Sequence, residues 1–181
     1  MLIDEEFLLN NNACEIGIEY CKKQSLIGLP AVEFAEKLLE KNKLIWANWL
    51  IIKILHKEDC VKYAVYAAES VLDIFEKKYP KDDKPRKAIE AAKDYIGNPC
   101  ADAARAAADA ARAASDAASD AASDAAAYVT YDAAYVAYAT AARAASAAAH
   151  VAYIAASDAK FIKIINYGIK LLKSEEEEEK L

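Results

Sequence analysis

The chain has two histidines, and only one of them is placed to act with a nearby nucleophile. Cys60 follows His56 by four residues, so both side chains fall on one face of a helix. A Cys–His pair can perform nucleophilic catalysis, but it needs a third group to orient the imidazole and an open cleft. The sequence indicates neither, and His150 has no catalytic partner at an identifying spacing. We therefore predict no enzyme activity and a structural role for His56 and Cys60.

The remaining cysteines do not form a metal or redox motif. None is paired in a CxxC arrangement or has a histidine at metal-ligand spacing, and no glycine-rich loop is present to hold a phosphate. We therefore predict no metal and no cofactor. All four cysteines are expected to be buried free thiols: Cys14, Cys21, Cys60 and Cys100.

A cluster of charged residues surrounds a proline between two predicted helices. Asp82 or Asp83 can cap the second helix, and Pro85 suits its first turn. Arg86 can pair with Glu90 one turn later. These five residues are predicted to be a structural motif, although a small polar site is an alternative.

Aromatic residues are the best candidates for a binding surface. Two tryptophans lie three residues apart in one helix, and four tyrosines are spaced by three, four and three residues in another. Tyrosine and tryptophan provide a large contact area at low entropic cost, but they can equally fill a core. The candidate binding residues are Trp46, Trp49, Tyr128, Tyr131, Tyr135, Tyr138, Arg143 and His150.

These residues must be positioned by helices. Four glycines and four prolines in 181 residues leave too few turns for a sheet protein, so we predict an all-α helical bundle. Alanine supplies 32 of the 59 residues from 101 to 159, which predicts a long alanine-rich helical C-terminal half. A single helix of that length would measure about 90 Å and must break in a compact fold.

Individual helices follow from apolar periodicity and from turn residues. We expect one of the three asparagines at 10–12 to cap the start of the helix over 13–23, and Gly97 to adopt a left-handed conformation that stops the helix before it. The predicted helices cover 13–23, 30–40, a buried central helix from 44, 58–79, one after Pro85, the alanine-rich tract and a last helix over 161–172.

Three regions are predicted along the chain. Residues 1–97 should form an N-terminal helical core, and the alanine-rich region 98–173 should pack on it within one domain. Residues 174–181 contain a block of glutamates and should be a disordered acidic tail.

Charge and hydropathy exclude two classes of partner. A net charge of −6 and a pI near 5.1 disfavour a nucleic-acid binder, which needs a basic stripe. The most apolar stretch, 44–55, is shorter than the roughly 20 residues that span a bilayer. With no secretory signal either, the prediction is a cytoplasmic protein.

Four motifs in order resemble those of the putative immunity protein family of bacterial polymorphic toxin systems, also found in phage genomes. They are ACEIGI at 13–18, WANWL at 46–50, VLDIFE at 71–76 and DDKPRKAIEAA at 82–92, followed by the alanine tract. The resemblance spans roughly residues 8 to 165. It implies an all-helical, non-enzymatic cytosolic protein that binds a toxin or effector. The chain also has the arginine of the last motif, Arg86, which we expect to link the Asp82/Asp83 turn to the preceding helix through Glu69 or Glu76.

Two other functions remain open at this point. Alanine-rich faces could pack between chains in a homo-oligomer with a structural role. A phage-type counter-defence protein could instead capture a small signalling molecule in a pocket lined by Tyr128, Tyr135 and Arg143.

Overall fold

The computed structural model describes residues 1–78, 80–98 and 158–180, and within them the fold is predominantly helical. The all-α prediction is therefore confirmed. Two short strands, β1 (Leu2–Ile3) and β2 (Leu29–Pro30), pair antiparallel and were not predicted. The described helices are α1 (Glu5–Asn10), α2 (Glu15–Lys23), α3 (Ala31–Glu40), α4 (Leu44–Ile54), α5 (Lys57–Lys78), α6 (Lys84–Gly97) and α7 (Asp158–Glu178).

Helix α4 is the central element, as its apolar circumference predicted. Both α3 and α7 pack against it, and α7 also packs on α3 and α5. Its buried residues are Leu44, Ala47, Asn48, Leu50, Ile51 and Ile52.

Helix α7 covers this core and extends further than predicted. Its buried residues recur at helical spacing and are Phe161, Ile164, Ile165, Gly168, Ile169, Leu172 and Glu175. The prediction of a disordered tail from 174 is wrong over the described residues, because α7 continues to Glu178. The helix persists because Glu175 faces the core and bonds there.

The asparagine run ends a helix rather than starting one, contrary to the prediction. Asn11 closes α1, and Asn12 adopts a left-handed φ of 59° while its N–H donates to the Leu9 carbonyl at 3.0 Å. Asparagine tolerates this conformation better than most residues, so it suits a helix stop. Helix α2 begins after Cys14, which makes no side-chain capping bond.

The end of α6 also differs from the left-handed stop predicted at Gly97. Gly97 is the last residue of α6, and Asn98 is the residue that leaves the helix, with φ −146°. Among the described glycines, a positive φ occurs at Gly28, at 89°, just before β2. Helices α5 and α6 pack closely against each other.

Candidate functional site

An aromatic pair with a lysine above it lies at the surface between α2 and α4. The rings of Tyr20 and Trp46 meet edge to face, with centroids 5.2 Å apart and planes at 65°. The Lys43 ammonium lies 4.8 Å from the Tyr20 ring centroid and 5.2 Å from that of Trp46. Both rings are half-buried, so each keeps an accessible part. A cation over two ring faces is an attractive arrangement that holds all three side chains in place.

The neighbouring backbone explains why these groups meet. A Cβ atom at Gly17 would lie 3.9 Å from Trp46 Cε2, so α2 approaches α4 closely at this point. Asn42, with φ 55°, turns the chain between α3 and α4, and the Lys43 N–H then donates to the Leu38 carbonyl at 2.8 Å. This turn places Lys43 next to the aromatic pair.

The same region exposes apolar side chains and further lysines. Ile16 is 75% exposed one turn before Tyr20, and Ile45 is 45% exposed beside Trp46. Lys41 is exposed and donates to Gln24 Oε1 at 2.8 Å, which links the ends of α3 and α2. We call this region the α2–α4 surface and define it by Ile16, Tyr20, Lys23, Lys41, Lys43, Ile45 and Trp46.

Two of the predicted binding residues lie in the described part of the chain, and the others lie outside it. Trp46 belongs to the α2–α4 surface, and Trp49 is half-buried one turn further along α4. The other candidates lie outside the described residues: Tyr128, Tyr131, Tyr135, Tyr138, Arg143 and His150. The structure adds Tyr20 and Lys43, which the sequence reasoning missed because turn geometry, not spacing, brings them to Trp46.

In the charged motif between α5 and α6, neighbouring groups satisfy the aspartates and the arginine. Asp82 Oδ1 accepts from the Lys84 N–H at 3.1 Å, and Asp83 Oδ2 lies 2.8 Å from Lys87 Nζ. That hydrogen bond holds the pKa of the Asp83 carboxyl below its ordinary value. Asp83 occupies the capping position but makes no side-chain capping bond. Pro85 lies in the first turn of α6, as predicted.

Arg86 pairs with the preceding helix. Its Nε and Nη2 donate to the two carboxylate oxygens of Glu76 at 2.9 and 2.8 Å, and not to Glu90. A second ion pair, Lys93 with Glu69, joins the same two helices. These pairs fasten α6 to α5, and Glu90 remains exposed.

The structure places the two members of the possible catalytic pair in different environments, with the Cys60 thiol buried and the His56 side chain exposed. The Cys60 thiol donates to the carbonyls of Leu55 at 3.5 Å and Ile52 at 3.7 Å. Burial, then the charges of Glu175 and Asp59, raises the pKa of this thiol to about 12. A thiol with that pKa is not a nucleophile at neutral pH.

The His56 side chain is exposed, and Nδ1 lies 3.4 Å from Glu175 Oε1. Glu175 is itself buried and accepts from the His56 backbone N–H at 2.9 Å. Burial is the main cause that raises the pKa of the Glu175 carboxyl, and a hydrogen bond with Asp59 adds to it. Sequence reasoning missed Glu175 because it sits in a run of identical residues.

The other two described cysteines differ in their exposure to solvent. Cys21 is buried, and burial raises the pKa of its thiol to about 11. Cys14 is free but exposed, which corrects the prediction of burial: as the residue preceding α2, it lies outside the helix face that enters the core. Cys100 lies outside the described residues. No metal-binding cluster occurs among residues 1–78, 80–98 and 158–180.

A side-chain hydrogen bond is buried in the core between α4 and α5. Tyr63 is fully buried, and its hydroxyl donates to Asn48 Oδ1 at 2.7 Å. Burial raises the pKa of the Tyr63 hydroxyl above its ordinary range. Asn48 in the middle of a helix whose other residues, except Lys53, are apolar was a signal for such a bond, because buried polar groups need partners.

Comparison with known protein families gives a match to most of the chain. The model of a family described as Imm-5 like putative immunity protein matches residues 50–181, which is 132 of the 181 residues. The α2–α4 surface precedes this range. No curated protein and no solved structure matches the chain. Within the described residues, every helix is too short or too polar to cross a membrane.

Proposed function

We propose a function from one premise: the chain belongs to the Imm-5 like putative immunity protein family. The protein is a non-enzymatic, cytoplasmic binding protein that neutralises a toxin or effector by sequestering it. The observation that carries this proposal is the family match over residues 50–181. It agrees with the resemblance that the sequence motifs indicated.

The environment of the reactive side chains supports a non-catalytic role. The Cys60 thiol is buried and hydrogen-bonded to main-chain carbonyls, while the His56 imidazole lies at the surface beside Glu175. The charged motif before α6 is likewise satisfied, by the Arg86–Glu76 ion pair with α5 and by the local Asp83–Lys87 pair at the start of α6. Both arrangements serve packing rather than turnover.

The α2–α4 surface supports partner binding. Protein interfaces are enriched in tyrosine and tryptophan, which supply large contact areas and dominate binding energy when they become desolvated. Here Tyr20 and Trp46 are already fixed by each other and by Lys43, so their immobilisation costs little on binding.

Native mass spectrometry of the protein purified from its source cells tests the proposal. We expect a second polypeptide in a stoichiometric complex. That polypeptide is then produced alone in a heterologous host, with and without the protein. Growth arrest that the protein relieves supports neutralisation, whereas full toxicity in its presence contradicts it.

Two other spectra would overturn the proposal. A homo-oligomer without a second polypeptide would favour a structural role. An added mass of a few hundred daltons would favour capture of a small molecule.

A further inference from the structure

We infer that the α2–α4 surface binds an acidic protein segment that carries apolar side chains. The inference rests on the proposed function for the existence of a partner, and it adds where that partner docks and by what chemistry. Its basis is the juxtaposition of exposed apolar side chains with ammonium groups that neutral neighbours hold in place.

The first observation is how two lysines are held. Lys43 lies over the rings of Tyr20 and Trp46, and Lys41 donates to the amide oxygen of Gln24. These partners are neutral, so they fix the ammonium groups without cancelling their charge. Lys23, three residues after Tyr20 on α2, is exposed on the same side of that helix.

The contrast with other lysines strengthens the point. Lys22, Lys37, Lys87 and Lys93 all form ion pairs with carboxylates. Within the described part of the chain, Lys23, Lys41 and Lys43 form no ion pair with a carboxylate, and Lys163 and Lys170 on α7 form none either. What distinguishes Lys41 and Lys43 is that neutral groups hold their ammonium groups in place. The acidic residues nearest to these lysines in sequence are Glu15 and Glu19 on α2 and Glu40, and Glu40 is already paired with Lys37. Of the two α2 carboxylates, Glu19 lies at helical spacing from Lys23, so the three lysines leave a local excess of positive charge in a chain whose net charge is −6.

The second observation is the apolar content of this surface. Ile16 is the most exposed large apolar residue in the described part of the chain, at 75%, and it lies on the same side of α2 as Tyr20. Ile45 exposes 45% beside Trp46. Exposed apolar side chains on the same surface as ammonium groups match the usual interface, which has an apolar centre and a polar rim.

Charge complementarity decides the partner's chemistry. Carboxylates on the partner would meet Lys23, Lys41 and Lys43, and its apolar side chains would cover Ile16 and Trp46. Because neutral groups already hold Lys41 and Lys43, little side-chain entropy is lost on binding. Opposite charges at the rim also speed the encounter of two proteins and make it sensitive to salt.

A peptide titration tests the surface without a cellular partner. The probe is a short fluorescein-labelled peptide of glutamate and leucine, with a glutamine–leucine peptide as its neutral counterpart, and binding is followed by fluorescence polarisation. Two double variants are compared with the wild type. Lys23→Gln/Lys41→Gln removes charge at the surface, and Lys163→Gln/Lys170→Gln removes the same charge from exposed positions on α7.

We expect the surface double variant to bind the acidic peptide about tenfold more weakly, with the α7 variant close to wild type. The difference should shrink in high salt and vanish with the neutral peptide. Equal loss in both variants, or loss in neither, would overturn the inference. A larger loss for phosphatidylserine vesicles or a DNA oligonucleotide than for the peptide would also overturn it, because the partner class would be wrong.

Chemical footprinting then separates this inference from the proposed function. Cys14 is exposed, and it borders the surface because a Cβ at Gly17 would touch both Cys14 Sγ, at 3.2 Å, and Trp46. In a complex with the co-purified polypeptide, we expect iodoacetamide to modify Cys14 more slowly. A complex that leaves Cys14 fully reactive rejects the surface but keeps the proposed function. Selective peptide binding without any cellular partner rejects the function but keeps the surface.

Discussion

A substitution at Gly168 tests how closely α7 packs against the core. A Cβ at this position would lie 2.7 Å from Ile51 Cγ2 and 2.7 Å from Tyr63 Cε2, well inside ordinary contact distance. Both neighbours are fully buried, and the atoms belong to a branched carbon and a ring, so neither can move aside easily. Gly168→Ala should therefore be destabilising although alanine is the better helix former.

The expected magnitude follows from two opposing effects. Overpacking a filled core costs about 1–3 kcal/mol, and two rigid contacts place Gly168→Ala in the upper part of that range. Replacing glycine with alanine inside a helix returns roughly 1 kcal/mol. The net loss should be about 1–2 kcal/mol, which lowers the melting temperature of a chain of this size by about 2–8 °C.

Gly97→Ala is the matched control. Gly97 also lies in a helix, but nothing stands within 4 Å of a Cβ there. This variant should melt at or slightly above the wild-type temperature. Differential scanning calorimetry of the three proteins gives the comparison. A Gly168→Ala protein that melts no lower than Gly97→Ala would refute the close packing of α7 on Ile51 and Tyr63.

Three further variants test individual contacts by thermal melting. Tyr63→Phe removes the buried donor to Asn48 and should cost about 1–3 kcal/mol; a melting temperature equal to wild type would show that the bond contributes nothing. Arg86→Ala breaks an exposed pair with Glu76 and should cost only about 0.5 kcal/mol, so a large loss would contradict a merely local role. Glu175→Gln keeps an acceptor for the N–H at the start of α5 but removes a buried charge. The folded carboxyl has a raised pKa and holds its proton to higher pH than the unfolded one, so this group's contribution to stability falls as pH rises from about 4.5 through the raised value. The stability of the variant relative to wild type should thus increase as the pH rises from 4.5 to 7. A stability difference between the two proteins that stays constant with pH would count against the raised pKa.

The sequence predicts the described helices α2 to α7 because their apolar residues recur at helical spacing, whereas the six-residue α1 was not predicted. The burial of α4 follows from an apolar stretch that covers most of its circumference, and the start of α6 follows from Pro85. The family resemblance also followed from ordered motifs, and the family match confirms it.

Features that depend on tertiary contacts could not be predicted. The acidic run is helical because Glu175 faces the core, which its identical neighbours conceal. The asparagine run can end one helix as well as start another, and only the left-handed backbone of Asn12 decides between them. At the α2–α4 surface, Trp46 could be selected from composition, but Tyr20 and Lys43 reach it through a turn whose direction the spacing does not encode.

The position of α7 has a consequence for the protein during its synthesis. The apolar face of α4 is complete once residue 54 has been added, yet the helix that covers it begins at Asp158. At roughly 5–20 residues per second, the ribosome needs about 5 to 20 s to make the intervening chain. During that interval α3, α4 and α5 lack part of their cover, and Glu175 has not reached the start of α5. The nascent core is therefore open to chaperones or to aggregation, and it closes only when the last helix emerges.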